Sequence, residues 1–199
     1  MAEQGCVRWK RFGLILVPVA AMTSLLIAAT AQGVIGATFV VSGDSFKLFA
    51  RELRGQGFTL AGGMDRTRRG QAVPVIVSGI RRATVVELCT SALVRTPIGV
   101  VTMRLTGGEG GNEVGIDNLV IDVEMGQTAA SIRDLELGRD AGSLDAVPGG
   151  PGGPAGTFGS QARVVTLRNV RLGAWAVTAA TFSLPDLRLR VLRGTYECY

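Results

Sequence analysis

The chain has 199 residues, of which 47% are apolar and only 6% aromatic, and its formal net charge is +5. Without the charged residues of the N-terminal flank, Glu3, Arg8, Lys10 and Arg11, that charge is +3, far below the basic footprint of a nucleic-acid-binding domain. No histidine is present, which excludes Ser-His-Asp chemistry within the chain and removes the commonest metal ligand. We therefore expect no nucleic-acid partner, no enzyme activity, no cofactor and no metal.

The first 37 residues have the organisation of an export or anchor segment. A basic flank at residues 7–11 precedes twenty uncharged residues from 12 to 31, enough to span about 30 Å of hydrocarbon as a helix. Cleavage sites of small residues end at Ala31 and Ala37. The sequence favours an uncleaved single-pass signal anchor with a cytoplasmic N-terminus, and secretion after cleavage near Ala31 or Ala37 is the alternative.

The cysteines agree with export. Cys6 precedes the apolar segment, on its cytoplasmic side, which leaves Cys89 and Cys198 as an even pair in the exported part. We expect a disulfide between these two residues. It closes a long loop and stabilises the domain by about 4 kcal/mol in the chain-entropy account. Two unpaired buried thiols are the alternative.

Residues 38–199 have the pattern of one all-β domain. Short β-branched runs near glycine, such as 73–77 and 164–167, are typical of strands, and helical periodicity is scarce after residue 40. Residues 45–53 are the one candidate for a short helix in this domain. Residues 148–156, with proline at every third position, predict a flexible or polyproline-like surface loop.

One spacing recurs in this domain: a small or β-branched residue, an apolar residue two positions on, and a leucine five positions on. Clear copies begin at Ala83, Val114, Ala130 and Ala162, and weaker copies begin at Val100 and Ala179. The copies are separated by about 16 residues, apart from one gap at the Gly-Pro stretch. This predicts a curved antiparallel meander or a short solenoid-like stack of strand–turn units. Chance alternation between glycine turns is the alternative.

Two groups of polar residues are candidates for chemistry. Gly43-Asp44-Ser45 resembles the nucleophile block of the GDS-type esterases, and residues 110–112 loosely resemble their Gly-x-Asn block. That family takes its general base from a histidine, so we expect no hydrolysis through Ser45. Asp117, Asp122 and Glu124 cluster in a predicted strand, where carboxylates are typical of a solvated outer face and a Ca²⁺ site is the alternative.

A basic strand is predicted near the C-terminus. Leucine or valine alternates with arginine over residues 187–191, which places Arg188 and Arg190 on one face. Together with Arg193 they predict a solvated basic strand, and contact with anionic lipid headgroups or wall polymers is the functional alternative. Trp175 is a further candidate for contact with lipid or a partner.

Several segments also carry a family resemblance. They are residues 7–12, 38–46, 87–89, 96–99, 153–159, 174–176 and 181–184. In order and spacing, over almost the full length, they resemble a family of uncharacterised exported proteins of filamentous, GC-rich actinobacteria that are often labelled cholesterol esterase. The resemblance implies placement in the cell envelope and a membrane-protein partner, and it implies no established activity.

The sequence thus predicts a non-catalytic envelope protein in which residues 1–37 form the anchor and residues 38–199 form an all-β domain. That domain is expected to bind an apolar ligand, membrane lipid or a membrane-protein partner. The alternative is a structural or accessory subunit that self-associates into a homo-oligomer, and a lipid hydrolase is third. An apolar cavity inside the domain is the observation that would best separate these functions.

Overall fold

The computed structural model describes residues 40–41, 44–67 and 70–199. These residues form an all-β structure, which confirms the predicted fold class. Its strands are β1 (Val40–Val41), β2 (Phe46–Thr67), β3 (Ala72–Thr96), β4 (Gly99–Gly107), β5 (Val114–Asp140), β6 (Phe158–Thr178), β7 (Thr181–Ser183) and β8 (Arg188–Arg193), with 3₁₀ turns at Glu109–Gly111 and Ala141–Ser143. The described part of the chain contains no helix with the length and apolar character of a membrane span. The predicted anchor, within residues 1–37, lies outside the described residues.

Four long strands pair in a closed cycle, which we call the ring. β2 is hydrogen-bonded to β3 along one edge and to β6 along the other, and β5 pairs with both β3 and β6. These pairings are all antiparallel, and among the described strands only β1 pairs in parallel, with Arg66 and Thr67 of β2. The cycle is not a simple meander, because β2 neighbours β6 as well as β3. Antiparallel pairing of the long strands also rules out a parallel solenoid.

The inner face of the ring carries the hydrophobic core. As the composition indicates, this core is aliphatic, and its aromatic neighbours Phe46 and Phe58 are only partly buried. Its larger members are Leu48, Leu53, Ile80, Val85, Leu88, Val114, Ile116, Leu119, Ile121, Val165 and Val170. Burial of such side chains is the main force that closes the sheet, at roughly 25 cal/mol per Å² of apolar surface.

The recurring sequence spacing has a local structural cause. In the copies that begin at Ala83, Val114 and Ala130, the residue four positions on has a positive φ, and these residues are Glu87, Asn118 and Asp134 with φ of 52°, 50° and 53°. One left-handed residue acts as a β-bulge and shifts the alternation by one position. The leucine five positions on therefore faces the same side of the sheet as the first two residues.

Units of about 16 residues are not confirmed. The strands of the ring are 21 to 27 residues long, and the copies at Val100 and Ala179 contain no left-handed residue at the fourth position. In β6 the left-handed residue is Asn169. It lies four positions after Val165, whereas the predicted copy begins three residues earlier, at Ala162. The spacing therefore marks a bulge within a long strand.

One local candidate is wrong. Residues 45–53 form no helix, because β2 begins at Phe46 and pairs on both edges. The surface loop predicted at residues 148–156 carries no strand or helix, and it packs on the outer face of the ring at Pro151. The Pro151 side chain lies so close to Gly79 that a Cβ on Gly79 would be 2.7 Å from it, and Thr59 Oγ1 donates to the Pro151 carbonyl at 3.4 Å. The pyrrolidine ring of Pro151 therefore requires glycine beneath it.

Gln161 of β6 holds the segment that leads into this loop. Its side-chain oxygen accepts hydrogen bonds from the backbone N–H groups of Asp145 and Ala146 at 2.9 and 3.2 Å. Its side-chain nitrogen donates to Asp145 and to Glu136. The hydrogen bond from Gln161 and the nearby Arg139 guanidinium lower the pKa of the Asp145 carboxyl. One buried side-chain amide thus holds residues 145–146, just before the loop, against the sheet.

Beyond the ring, the sheet continues as a wing made of residues 88–96 of β3 together with β4 and β8. The predicted disulfide is present, with Cys89 and Cys198 joined at 1.99 Å. It brings the C-terminal residues across one face of the wing, where Thr102 Oγ1 donates to the Gly194 carbonyl at 2.6 Å. Ser91 Oγ also accepts from the Cys198 N–H at 3.0 Å.

Candidate functional site

An apolar cavity of about 170 Å³ lies inside the ring. Thr90 is its one polar lining residue, and the other twelve are apolar. Part of the lining is fully buried core. The rest includes the half-buried Phe46 and Leu172 together with Phe182, which is 38% exposed. The cavity therefore opens toward the side of the ring that carries Phe182.

Local sequence explains why space remains there. Ala50 of β2 lies opposite Leu88 of β3, and its small side chain leaves room that a leucine would fill. The bulges at Glu87 and Asn118 turn Leu88 and Leu119 toward this space. An apolar cavity of roughly 150 Å³ stays dry and binds a benzene-sized ligand. The lining of this cavity contains no titratable side chain, and Thr90 supplies its hydroxyl.

The cavity wall continues onto the wing. Leu48, Thr90, Leu105 and Leu189 lie directly opposite one another across β2, β3, β4 and β8, so they share one face of the sheet. Leu48 and Thr90 line the cavity, whereas Leu189 is 63% exposed. The next row holds Ala92, Met103 and Val191.

The predicted arginines lie on the wing as well. Arg188 and Arg190 occupy the face opposite to Leu189, and Arg188 forms an ion pair with Glu109 at 2.8 Å. Arg190 lies directly opposite Arg104 of β4. Arg193 lies instead on the apolar face, in a row with Val94 and Val101. The strand is therefore basic on one face and apolar on the other except at Arg193, and both faces of β8 are accessible.

Trp175 occupies an irregular position in β6. The register with β5 passes from the Asp122–Ala176 pair to the Val123–Ala174 pair, which leaves Trp175 without an opposite residue. Its side chain is half-buried, and its indole nitrogen is buried with no hydrogen-bond partner among the described residues. Trp175 does not line the apolar cavity.

The prediction of a solvated face for the acidic cluster is wrong at Asp122, although Glu124 is exposed. Asp122 is only 7% exposed, and burial together with the charge of Asp65 raises its pKa to about 6. Burial also raises the pKa of Asp65, whose Oδ2 is buried without a hydrogen-bond partner in the described structure. Asp117 forms an ion pair with Arg82. Within the described ranges no group of three or more His, Cys, Asp or Glu side chains is arranged to hold a metal.

The esterase-like residues form no part of the cavity. Ser45 is exposed just before β2, and Gly43 lies outside the described residues. The Asn112 side-chain amide donates a hydrogen bond to Asp186 at 2.6 Å, so it is held by a neighbouring turn. Neither Ser45 nor Asn112 lines the cavity.

Comparison with known proteins places the chain in a family. A family model that is described only as a family of unknown function matches residues 42–199. The chain belongs to DUF6230. The DUF6230 match includes every strand of the ring and the wing, and it agrees with the predicted resemblance to an uncharacterised family. No curated protein and no solved structure matches the chain.

Proposed function

We propose that this protein is a non-catalytic protein of the cell envelope, exported or anchored by residues 7–37, whose β domain binds an apolar ligand. The observation that carries the proposal is the apolar cavity of about 170 Å³ in the ring. Its lining supplies hydrocarbon contacts and one hydroxyl, which suit binding and do not suit acid–base catalysis. The absence of histidine from the sequence weighs against the lipid hydrolase in the same way.

The size of the cavity limits the ligand class. A volume of this order accepts a small ring or the last few carbons of an acyl or prenyl chain. Each methylene group that leaves water for such a site contributes about 0.8 kcal/mol. A chain end that fills the cavity would therefore be retained, while the polar end of the same molecule stays outside near Phe182.

The disulfide supports a location of the β domain outside the cytoplasm. Disulfides form and persist in oxidising compartments outside the cytoplasm. Cys89 and Cys198 are joined, and both lie beyond the predicted anchor. An envelope location is therefore proposed for residues 38–199, with the basic flank at residues 7–11 on the cytoplasmic side.

Binding of a fluorescent fatty-acid probe by the delipidated full chain tests the proposed ligand site. Val85 lines the cavity, while Val86 lies on the opposite face of β3, so Val85→Phe and Val86→Phe form a matched pair. We expect Val85→Phe to weaken binding at least about tenfold, because the added ring fills the cavity. Val86→Phe should bind within about twofold of the unmodified chain. Equal affinity of the two variants would remove the cavity as the ligand site.

A self-associating structural subunit is the second candidate, and one strand edge supports it. Residues 126–140 of β5 pair with β6 alone, so among the described residues their other edge is free. Ile132 and Leu135 lie opposite the buried Val165 and Ala162, yet both are exposed. A free edge of this kind can pair with another chain.

The oligomeric state decides this second candidate. Light scattering of the full chain in detergent should show a dimer or larger species if the edge pairs with itself, and Leu135→Arg should shift it to a monomer. Met125→Arg, at an exposed site near the other end of the edge, serves as the control. A monomeric unmodified chain at all concentrations would eliminate the candidate.

A further inference from the structure

The face of the wing that the C-terminal tail crosses also carries three arginines. Arg104 of β4 and Arg190 of β8 lie directly opposite each other, and Arg188 lies two positions along the same face. The tail is hydrogen-bonded to this face at Ser91 and Thr102, and it contributes nothing to the surface between the arginines. That surface is a pocket of about 150 Å³, and its lining residues are Arg104, Thr106, Glu109, Arg188, Arg190 and Leu192. Arg188 and Arg190 are exposed, so solvent reaches the pocket.

The charges around this pocket do not balance. Arg188 forms an ion pair with Glu109, whereas Arg104 and Arg190 form no ion pair with any described residue. Nε of Arg104 donates to Cys89 Sγ at 3.3 Å, which orients the guanidinium without neutralising it. Three arginines and one carboxylate leave the lining with a net charge of +2. Because like charges directly opposite each other on a sheet are destabilising, the arginine pair favours an anion between its two members.

The donor groups and the charge of the pocket select the class of anion. Each guanidinium presents N–H donors in a planar fork that fits phosphate and carboxylate oxygens. The Thr106 hydroxyl, opposite Arg188 on the same face, adds a further donor. A phosphate monoester carries a charge of about −1.5 to −2 at neutral pH and three acceptor oxygens. Such a group balances the net charge of the lining, which a singly charged carboxylate or phosphodiester would leave half neutralised.

We propose that this pocket is a binding site for a phosphate monoester group. Arg104 and Arg190 bind its oxygens from two neighbouring strands, while Glu109 holds Arg188 beside them. The group belongs either to a soluble phosphate or to the headgroup of a membrane lipid, because the same atoms bind both. The pocket lies on the opposite face of β8 from Leu189 and shares no lining residue with the apolar cavity. The proposal therefore stands apart from the proposed function.

Isothermal titration calorimetry of the full chain in detergent tests the site, with inorganic phosphate as the probe at neutral pH and constant ionic strength. Arg190→Gln and Arg193→Gln form a matched pair, because each removes one arginine from β8 and only Arg190 lines the pocket. Both side chains are exposed, so neither variant disturbs the core. We expect Arg190→Gln to weaken phosphate binding at least about tenfold, since a charged hydrogen-bond donor is lost. Arg193→Gln should stay within about twofold of the unmodified chain.

Three results of this titration would overturn the proposal. The first is the lack of saturable phosphate binding by the unmodified chain. The second is equal phosphate affinity of the two variants, which would assign the binding to the general charge of the strand. The third is acetate binding as tight as phosphate binding, which would contradict selection of a doubly charged anion.

Nanodiscs distinguish the two sources of the phosphate group. Displacement of inorganic phosphate by phosphatidic acid, a phosphate monoester, and not by phosphatidylglycerol, a phosphodiester, would identify a lipid headgroup. Phosphate binding that is unchanged in both kinds of nanodisc would identify a soluble phosphate. Equal displacement by the two lipids would contradict the selection of a monoester. Val85→Phe, which blocks the apolar cavity, should leave phosphate binding unchanged, so the failure of one site is distinguishable from the failure of the other.

Discussion

The ring and the wing share one strand, β3, and differ in how their surfaces are covered. In the ring, β3 has the core on one face, at Ile80, Ala83 and Val85, and the loop that contains Pro151 covers its other face at Gly79. In the wing, the C-terminal tail covers one face of β3 at Ser91, and the other face passes from the core at Leu88 to exposed surface at Val94. Alternation along a strand decides which side chains share a face. Segments distant in sequence decide whether that face is exposed.

Removal of the disulfide should have the largest effect. The bond joins residues 109 positions apart, so replacing both cysteines, C89S/C198S, should cost about 4 kcal/mol of unfolding free energy. The tail is hydrogen-bonded to Ser91 and Thr102 of the wing and touches the ring only near Lys47 and Arg171, so hydrogen exchange should accelerate more in residues 88–107 than in the rest of the ring. Urea unfolding and exchange mass spectrometry of the full chain measure both effects. Cys6→Ser is the control. Hydrogen exchange that rises evenly over both regions would contradict the greater dependence of the wing on the C-terminal tail.

A leucine and a methionine on the same face of the sheet sharpen the comparison. Leu88→Ala removes a side chain buried in the core of the ring, at the point where the wing begins, and should cost about 3 kcal/mol. Met103→Ala removes a half-exposed side chain from the wing and should cost under about 1 kcal/mol. Urea midpoints of the two variants give the difference. Equal costs would mean that the apolar face of the wing is covered in the isolated protein.

Much of the fold was predictable from local pattern. The all-β class followed from β-branched runs, and the pairing of Cys89 with Cys198 followed from the even number of cysteines beyond the anchor. Closure of the ring was not predictable, because β5 pairs with two strands whose order no local pattern specifies. Burial was not predictable either. The three apolar residues of the copy that begins at Ala83 are buried and those of the copy that begins at Ala130 are exposed, although both copies contain the same left-handed bulge.

The candidate site was less predictable than the fold. A cavity is space that side chains leave unfilled, so it depends on which residues meet across strands, as Ala50 meets Leu88. The one sequence feature that could have indicated it is the pair of bulged leucines, Leu88 and Leu119, which both face the cavity. Burial of Asp122 was also missed, because strand alternation alone places a carboxylate on an outer face without showing that the face is covered.

The pH dependence of stability tests whether the outer face of the ring is covered. Burial and Asp65 raise the pKa of Asp122 from 3.8 to about 6, so the folded state holds this proton more tightly than the unfolded state. The stability of the unmodified chain should therefore fall as the pH rises from 3.8 to about 6. Asp122→Asn should raise stability at pH 7 by about 2 kcal/mol and lose that advantage near pH 4.

Thermal or urea unfolding between pH 4 and pH 8 measures this effect. Asp117→Asn, in an exposed ion pair with Arg82, is the control and should change stability by under about 1 kcal/mol. If the stability difference between Asp122→Asn and the unmodified chain did not change with pH, Asp122 would have to be hydrated in solution.

The smallest expected effect concerns the bulges that orient the core leucines. Asn118 is exposed with φ of 50°, so Asn118→Ala should cost about 1 kcal/mol through its left-handed backbone alone. Asn118→Gly should be nearly neutral, because glycine adopts this conformation without strain. Urea unfolding of the two variants gives the comparison. A larger cost for glycine than for alanine would show that the bulge is absent.

Native mass spectrometry of the full chain, gently released from the membrane fraction, tests the central claim most directly. The account predicts a bound apolar molecule on the unmodified chain and on Val86→Phe, and its loss from Val85→Phe, whose side chain fills the cavity. A ligand-free unmodified chain, or the same bound mass on Val85→Phe, would contradict the claim that the ring holds an apolar ligand.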